Sequence, residues 1–175
     1  MRRRRVPPAP PVIPGFVISK YILSMSLFSF RKKELFNEEE KSRVIHAIRQ
    51  AERLTSGEIR LFVENRCEDV DPMDRAREAF LSLGMDKTRQ RNGVLLYIAL
   101  RDHQFAIVGD QGIHEKVGAD FWQREALLLR DHFSHNRIVE GIEVCVKEIG
   151  ESLLHYFPYE SGDANELPDD IVFGR

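Results

Sequence analysis

The sequence predicts an α/β fold, a three-layer sandwich in which a small mixed β-sheet is flanked by helices within a single domain. Three observations lead there. Helix-period and strand-period segments alternate along the chain, and the run 93–100 (GVLLYIAL) is continuously apolar, as suits a strand covered on both faces. With 42% hydrophobic and 31% charged side chains, 175 residues are enough for one sizeable core.

The first helix is predicted from Asn37. Its side chain can cap, Glu40 three residues on completes a capping box, and Glu38 to Glu40 face the positive helix end. Val44, Ile45, Ile48, Ala51 and Leu54 then recur at helical spacing, with Glu52 as the polar exception, until Ser56-Gly57 stops the pattern. Residues 58–64 (EIRLFVE) alternate, with Ile59, Leu61 and Val63 inward, as a half-exposed strand should.

After a polar loop, Asp71-Pro72 forms a cap and first-turn pair for a second helix carrying Ala76, Ala79, Phe80 and Leu83 and ended by Gly84. The strand 93–100 follows, and a strand–helix–strand connection of this length implies a parallel crossover. Residues 101–103 are short enough for a hairpin turn, so 104–109 (QFAIVG) should return antiparallel. Residues 110–118 read as a loop. Phe121, Trp122, Ala126, Leu129 and Phe133 suggest a third helix, and Ile138, Ile142, Cys145, Ile149, Leu153 and Tyr156 a fourth, stopped by Pro158.

These elements place the domain at 35–158. Residues 1–34 are expected to be a flexible Arg/Pro-rich extension, with Met25 as an alternative start, and 159–175 an acidic tail. Prolines at 7, 8, 10, 11 and 14 and Lys20 break the apolar opening, which argues against a signal peptide or anchor. A cytoplasmic protein without stable membrane insertion is the expectation. Cys67 and Cys145 have no zinc-type spacing and should both be reduced thiols.

Lys plus Arg total 26 against 28 Asp plus Glu, which leaves no basic field for nucleic acid. Five of those basic residues and no acid lie in 1–24. The remainder holds 21 basic and 28 acidic side chains, a charge of −7 that suits cations.

No dinucleotide, P-loop, nucleophile-elbow or zincin motif is present. His132 and His135 lie three apart on a helix, but no carboxylate is spaced to complete a metal site, and a solvated helix face explains them. Glu68, Asp69, Asp71 and Asp74 crowd the loop after the first strand, where ligands of parallel sheets tend to bind. Their spacing resembles a calcium loop without its central glycine and distant Glu, and Asp71 already has a role as a helix cap. Asp102, at the hairpin, can join Asp69 and Asp71 as a second candidate site or simply form the turn.

The opposite sheet edge is the first candidate. If 58–64 and 93–100 are parallel and 104–109 runs back, Glu58, the 91–93 segment and Asp110 emerge together, with Glu52 on the helix end feeding them. Glu52, Glu58 and Asp110 then offer hard oxygen ligands for Ca²⁺ or Mg²⁺. Arg89, Arg91 and Asn92 can grip a phosphate. An Arg–carboxylate network that merely stabilises the edge is the competing reading.

The runs AERLTSGEIRLFVE (51–64), RQRNGVLLYIAL (89–100), QFAIVGDQGI (104–113) and NELP (165–168), in that order, resemble the TPM domain family, a phosphatase-like domain of bacteria, plant thylakoids and some animal proteins. The likeness extends over about 36–168, in the short stand-alone bacterial form. It implies an α/β sandwich with a groove at a sheet edge, divalent cation binding as in some members, and acid phosphatase activity as proposed for a plant member. Other relatives are associated with repair or assembly of membrane complexes. By motif, Glu52, Glu58, Asn92, Asp110, Gly112 and Asp102 fall on the family pattern, whereas no catalytic nucleophile can be transferred. The expectation is a module that binds Ca²⁺ or Mg²⁺ in an acidic pocket, with a protein or membrane-complex subunit as a further partner. The alternative is a weak metal-dependent acid phosphatase.

Overall fold

The computed structural model describes residues 17–22, for which only the backbone is considered, together with 36–67, 70–160 and 171–174. Along the chain these form β1 (Val17–Ile22), α1 (Glu38–Glu52), β2 (Glu58–Glu64), α2 (Pro72–Ser82), a 3₁₀ turn (Met85–Lys87), β3 (Gly93–Ala99), β4 (Gln104–Gly109), α3 (Gln111–Ser134), α4 (Ile138–Tyr156) and β5 (Ile171–Phe173).

The five strands make one mixed sheet in the order β1-β4-β3-β2-β5. β2 and β3 are parallel from Glu58↔Gly93 to Glu64↔Ala99, and β4 returns antiparallel from Ala99↔Gln104 to Val94↔Gly109, as the crossover and the short hairpin require. Strand alternation divides the core between two layers. Ile59, Leu61, Val63, Val94, Leu96, Ile98, Phe105 and Ile107 pack with α1, α3 and α4 on one face. Phe62, Leu95, Tyr97, Ala106 and Val108 pack with α2 on the other.

The helix boundaries follow from their caps. Asn37 Oδ1 accepts the Glu40 N–H at 2.8 Å while Glu40 Oε2 accepts the Asn37 N–H at 2.8 Å, a complete capping box. Asp71 Oδ1 accepts the Met73 N–H, with Pro72 at the first helical position of α2.

Four expectations are corrected. Val17–Ile22, assigned to an extension outside the fold, pairs antiparallel with β4, and Ile171–Phe173, assigned to the acidic tail, pairs parallel with β2. Proline and charge counts miss such strands because an edge strand is recruited by unpaired backbone groups, not by composition. Strand β2 is buried at every position, Glu58, Arg60 and Glu64 included, because it lies between β3 and β5 with helices on both faces. Residues 111–117, read as loop, are the first turns of α3, capped by Asp110. The helix bends at Gly118, whose φ of 74° and ψ of 176° leave the helical region. NELP (165–168) lies outside the described residues. Among the described residues no helix is long and apolar enough to cross a membrane.

Removing residues 1–24 is therefore expected to strip one side of β4. Alternate amides within 104–109 should exchange with solvent faster than in the full chain, while those of β2 and β3 keep their protection. Unchanged exchange throughout β4 would show that the β1 pairing adds no stability.

Candidate functional site

The first candidate edge lies where β2 and β3 begin and β4 ends. Glu58 opens β2 and is in register with Gly93, whose carbonyl accepts the Asp110 N–H at 2.9 Å. Asp110 is fully buried and caps α3, its Oδ1 accepting the Gln111 N–H at 2.7 Å. The same carboxylate takes a two-pronged contact from Arg91, Nε to Oδ2 at 2.7 Å and Nη2 to Oδ1 at 2.8 Å. That contact raises the guanidinium pKa.

The loop bearing Arg91 is held by its backbone. Arg91 sits in the left-handed region at φ 54°, donates its N–H to Thr88 O at 3.1 Å and accepts the Ile113 N–H at 3.3 Å. Gly112 must lack a side chain here, since a Cβ would collide with the carbonyl oxygens of Gln90 and Arg91. Next along, Asn92 is 1% exposed. Its Nδ2 donates to Ser56 Oγ at 3.2 Å, while its Oδ1, equally buried, accepts no hydrogen bond. Arg89 and Arg91 lie on the solvent rim, the Arg91 side chain 46% exposed.

Glu52 reaches this edge differently. Its Oε1 accepts the Ile59 N–H at 2.5 Å, which ties the end of α1 to the start of β2. Glu52 comes from the α1 layer, whereas Glu58 alternates with Ile59 and shares the α2 face with Phe62 and Glu64. Glu58, Asn92 and Asp110 thus lie at one end of the sheet, around the Gly93 position, and Glu52 approaches from the α1 layer. Among the described residues, no three His, Cys, Asp or Glu side chains are grouped to hold a metal ion.

At the opposite edge the second set of carboxylates serves local structure. Asp102 Oδ2 accepts the Cys67 N–H at 2.6 Å, Asp71 caps α2, and Asp74 pairs with Arg77 at 3.2 Å. Glu68 and Asp69 lie outside the described residues. His132 and His135 neighbour different carboxylates, Glu140 at 4.0 Å and Asp131 at 3.6 Å. Both cysteines are free and buried, and burial pushes both thiols up in pKa, away from nucleophilic thiolate.

Two buried ionic clusters escaped the sequence reading. In the first, Glu64, 2% exposed, receives Arg75 Nε and Nη2 at 2.9 Å each and the Tyr97 hydroxyl at 2.5 Å, so both carboxylate oxygens are engaged. Burial, then Cys67 and Glu64, keeps the Tyr97 phenol protonated. The second is Glu125 on α3, fully buried with neither carboxyl oxygen hydrogen-bonded. Burial first, and the nearby Glu148 second, raise its pKa from 4.5 to about 7. The available signal was its position amid Phe121, Trp122, Ala126 and Leu129, a charge inside an apolar stripe.

The family model described as the TPM domain matches residues 30–152. Among solved structures, the BA42 protein of the psychrophilic bacterium Bizionia argentinensis is similar at 38% identity and a TM-score of 0.76, over 82% of this chain and 99% of that one. The N-terminal domain of the cg2496 protein of Corynebacterium glutamicum shares the fold at 14% identity, with a TM-score of 0.56 over 76% of this chain and 87% of that one. No curated protein matches.

The Glu125 environment gives stability a specific pH dependence. Its folded pKa of about 7 exceeds the ordinary 4.5, so the folded state holds the proton more tightly than the unfolded state. Below about pH 4.5 the group is protonated in both states and adds no pH dependence, and stability falls as pH rises from there through about 7, by roughly 3 kcal/mol in all. Glu125→Gln should remove this slope and melt above wild type at pH 8, in thermal unfolding followed by circular dichroism at pH 5 and 8. Parallel profiles for the two proteins would refute the assignment.

Proposed function

The chain belongs to the TPM domain family, and from that premise we propose that it is a divalent-cation-binding module whose site is the corner formed by Glu58, Asn92 and Asp110. One observation carries the reading. Asn92 Oδ1 is a hard oxygen, buried and without a hydrogen-bond donor, and it immediately precedes Gly93, the backbone position that pairs with Glu58 and takes the Asp110 N–H. An acceptor left so is costly in a folded protein, by about 1–3 kcal/mol, and a bound cation would offset that cost. Ca²⁺ tolerates mixed carboxylate and amide ligands in irregular geometry, and Mg²⁺ would keep more of its own water here. Glu52 supports the site indirectly by fixing the backbone at Ile59.

Weak metal-dependent hydrolysis of a phosphomonoester is the second reading. What favours it is the rim, where the exposed Arg89 and half-exposed Arg91 adjoin the acidic corner. A cation would supply charge stabilisation of the phosphoryl group and activate water, and the arginines would orient its oxygens. The buried, protonated Cys67 thiol is no candidate nucleophile.

Two measurements test these readings. In an NMR titration of the full chain with CaCl₂ or MgCl₂, amide shifts are expected at Glu58, Asn92, Gly93 and Asp110, and Glu58→Gln should weaken binding by about tenfold or more. Shifts confined to Cys67 and Asp102 would move the site to the other edge, and no shift at millimolar cation would refute binding. Any hydrolysis of an aryl phosphate should vanish with chelator and survive Cys67→Ala. Turnover that persists in chelator would exclude the metal-dependent mechanism.

A further inference from the structure

At the proposed corner Asp110 is not vacant, and its occupant determines how a cation can enter. Both carboxylate oxygens are held by one guanidinium, at 2.7 and 2.8 Å, and Oδ1 also accepts the Gln111 N–H. A divalent ion can ligate this carboxylate only by breaking at least one of the Arg91 contacts. The pair is asymmetric in burial. Asp110 is fully buried, so its charge must be compensated wherever Arg91 goes, whereas the Arg91 side chain is 46% exposed and is resolvated at little cost.

The backbone makes that departure simple. Arg91 is held at positive φ by its hydrogen bonds to Thr88 and Ile113, and Gly112 is packed against its carbonyl. The side chain can therefore swing outward about its own rotatable bonds while the loop and the α3 cap stay in place. Next along the same loop is Asn92, whose buried Oδ1 lacks a donor.

We propose that Arg91 is the resident counter-ion of Asp110 and the direct competitor of the cation, so that binding exchanges a guanidinium for a divalent ion on a permanently buried carboxylate. This rests on the cation-binding reading and adds its regulation. The exchange explains how a domain can keep a ligand carboxylate buried without the metal, and it sets a threshold. A monovalent ion merely replaces one unit charge by another and forfeits the two-pronged geometry, whereas a divalent ion gains a charge. The affinity of the wild-type corner is correspondingly lowered by the strength of the ion pair it must break.

The test is calorimetric titration of CaCl₂ into full-length wild type, Arg91→Gln, Arg91→Lys and the double variant Arg91→Gln/Asp110→Asn, with melting temperatures recorded with and without CaCl₂. Arg91→Gln should bind at least about tenfold more tightly than wild type, a difference of about 1.4 kcal/mol. It should also melt lower without calcium and gain more from its addition. Arg91→Lys, which keeps the charge but not the fork, should fall between them and provides the comparison if Arg91→Gln folds poorly. The double variant should lose the gain. If wild type binds and neither single variant binds more tightly, the exchange is refuted while cation binding stands. If no protein shows heat or a melting shift, both are refuted.

Discussion

A single buried carboxylate organises the working end of this domain. Asp110 ends β4 by donating its N–H to Gly93 O, starts α3 by accepting the Gln111 N–H, and fixes the 88–92 loop through Arg91. The β4–α3 junction and the 88–92 loop, whose Arg91 lies 19 residues before Asp110, are thereby tied through one residue. The arrangement explains why small residues cluster here, since Gly109 lies against the Trp122 indole and Gly112 against the 90–91 carbonyls. Three donors, the Gln111 N–H and two from the Arg91 guanidinium, leave little of the Asp110 carboxylate unused.

The two buried glutamates show how differently the same side chain can be accommodated. Glu64 is matched by a guanidinium fork and a phenol, and it locks α2 onto the β2–β3 pair. Arg75 also lies over the Phe62 ring, at 5.4 Å, so charge and apolar packing share one contact. Glu125 has no such partner; burial first, and then Glu148 on α4, raises its pKa to about 7 and keeps it partly protonated near neutrality. The α3–α4 interface thus carries an electrostatic cost that the β2–α2 interface avoids. The first arrangement stabilises the layer bordering the candidate site, and the second lies on the opposite side of the sheet.

Local signals made most of this fold legible. The Asn37–Glu40 box, the Asp71-Pro72 start, the Gly84 and Pro158 stops and the apolar run of β3 each act within a few residues, and all appear as the sequence implies. The parallel–antiparallel logic also placed Glu58, Asn92 and Asp110 at one edge. What stayed hidden depends on partners far along the chain. Strands β1 and β5 are recruited by sheet edges formed elsewhere, and Glu64 reads as an exposed strand end until Arg75 and Tyr97 are folded over it. The opposite approach of Glu52 was missed because a helix residue and a strand residue can converge on one edge from different faces.

Chemistry at this end of the sheet is constrained more by charge balance than by any single reactive group. The two thiols are buried with raised pKa, and the carboxylates of the far edge cap helices or hold the Cys67 turn. What the near corner offers is buried oxygens at one end of the sheet with the exposed Arg89 and half-exposed Arg91 nearby, and on the proposed reading these would serve a cation and an oxyanion respectively. Such a site favours binding over turnover unless both occupants are present together. With Arg91 on Asp110, one carboxylate is compensated and the guanidinium is engaged. Displacing Arg91 with a cation would create the metal centre and release the guanidinium in one step, so under this reading the metal ligand and the anion ligand become available only together.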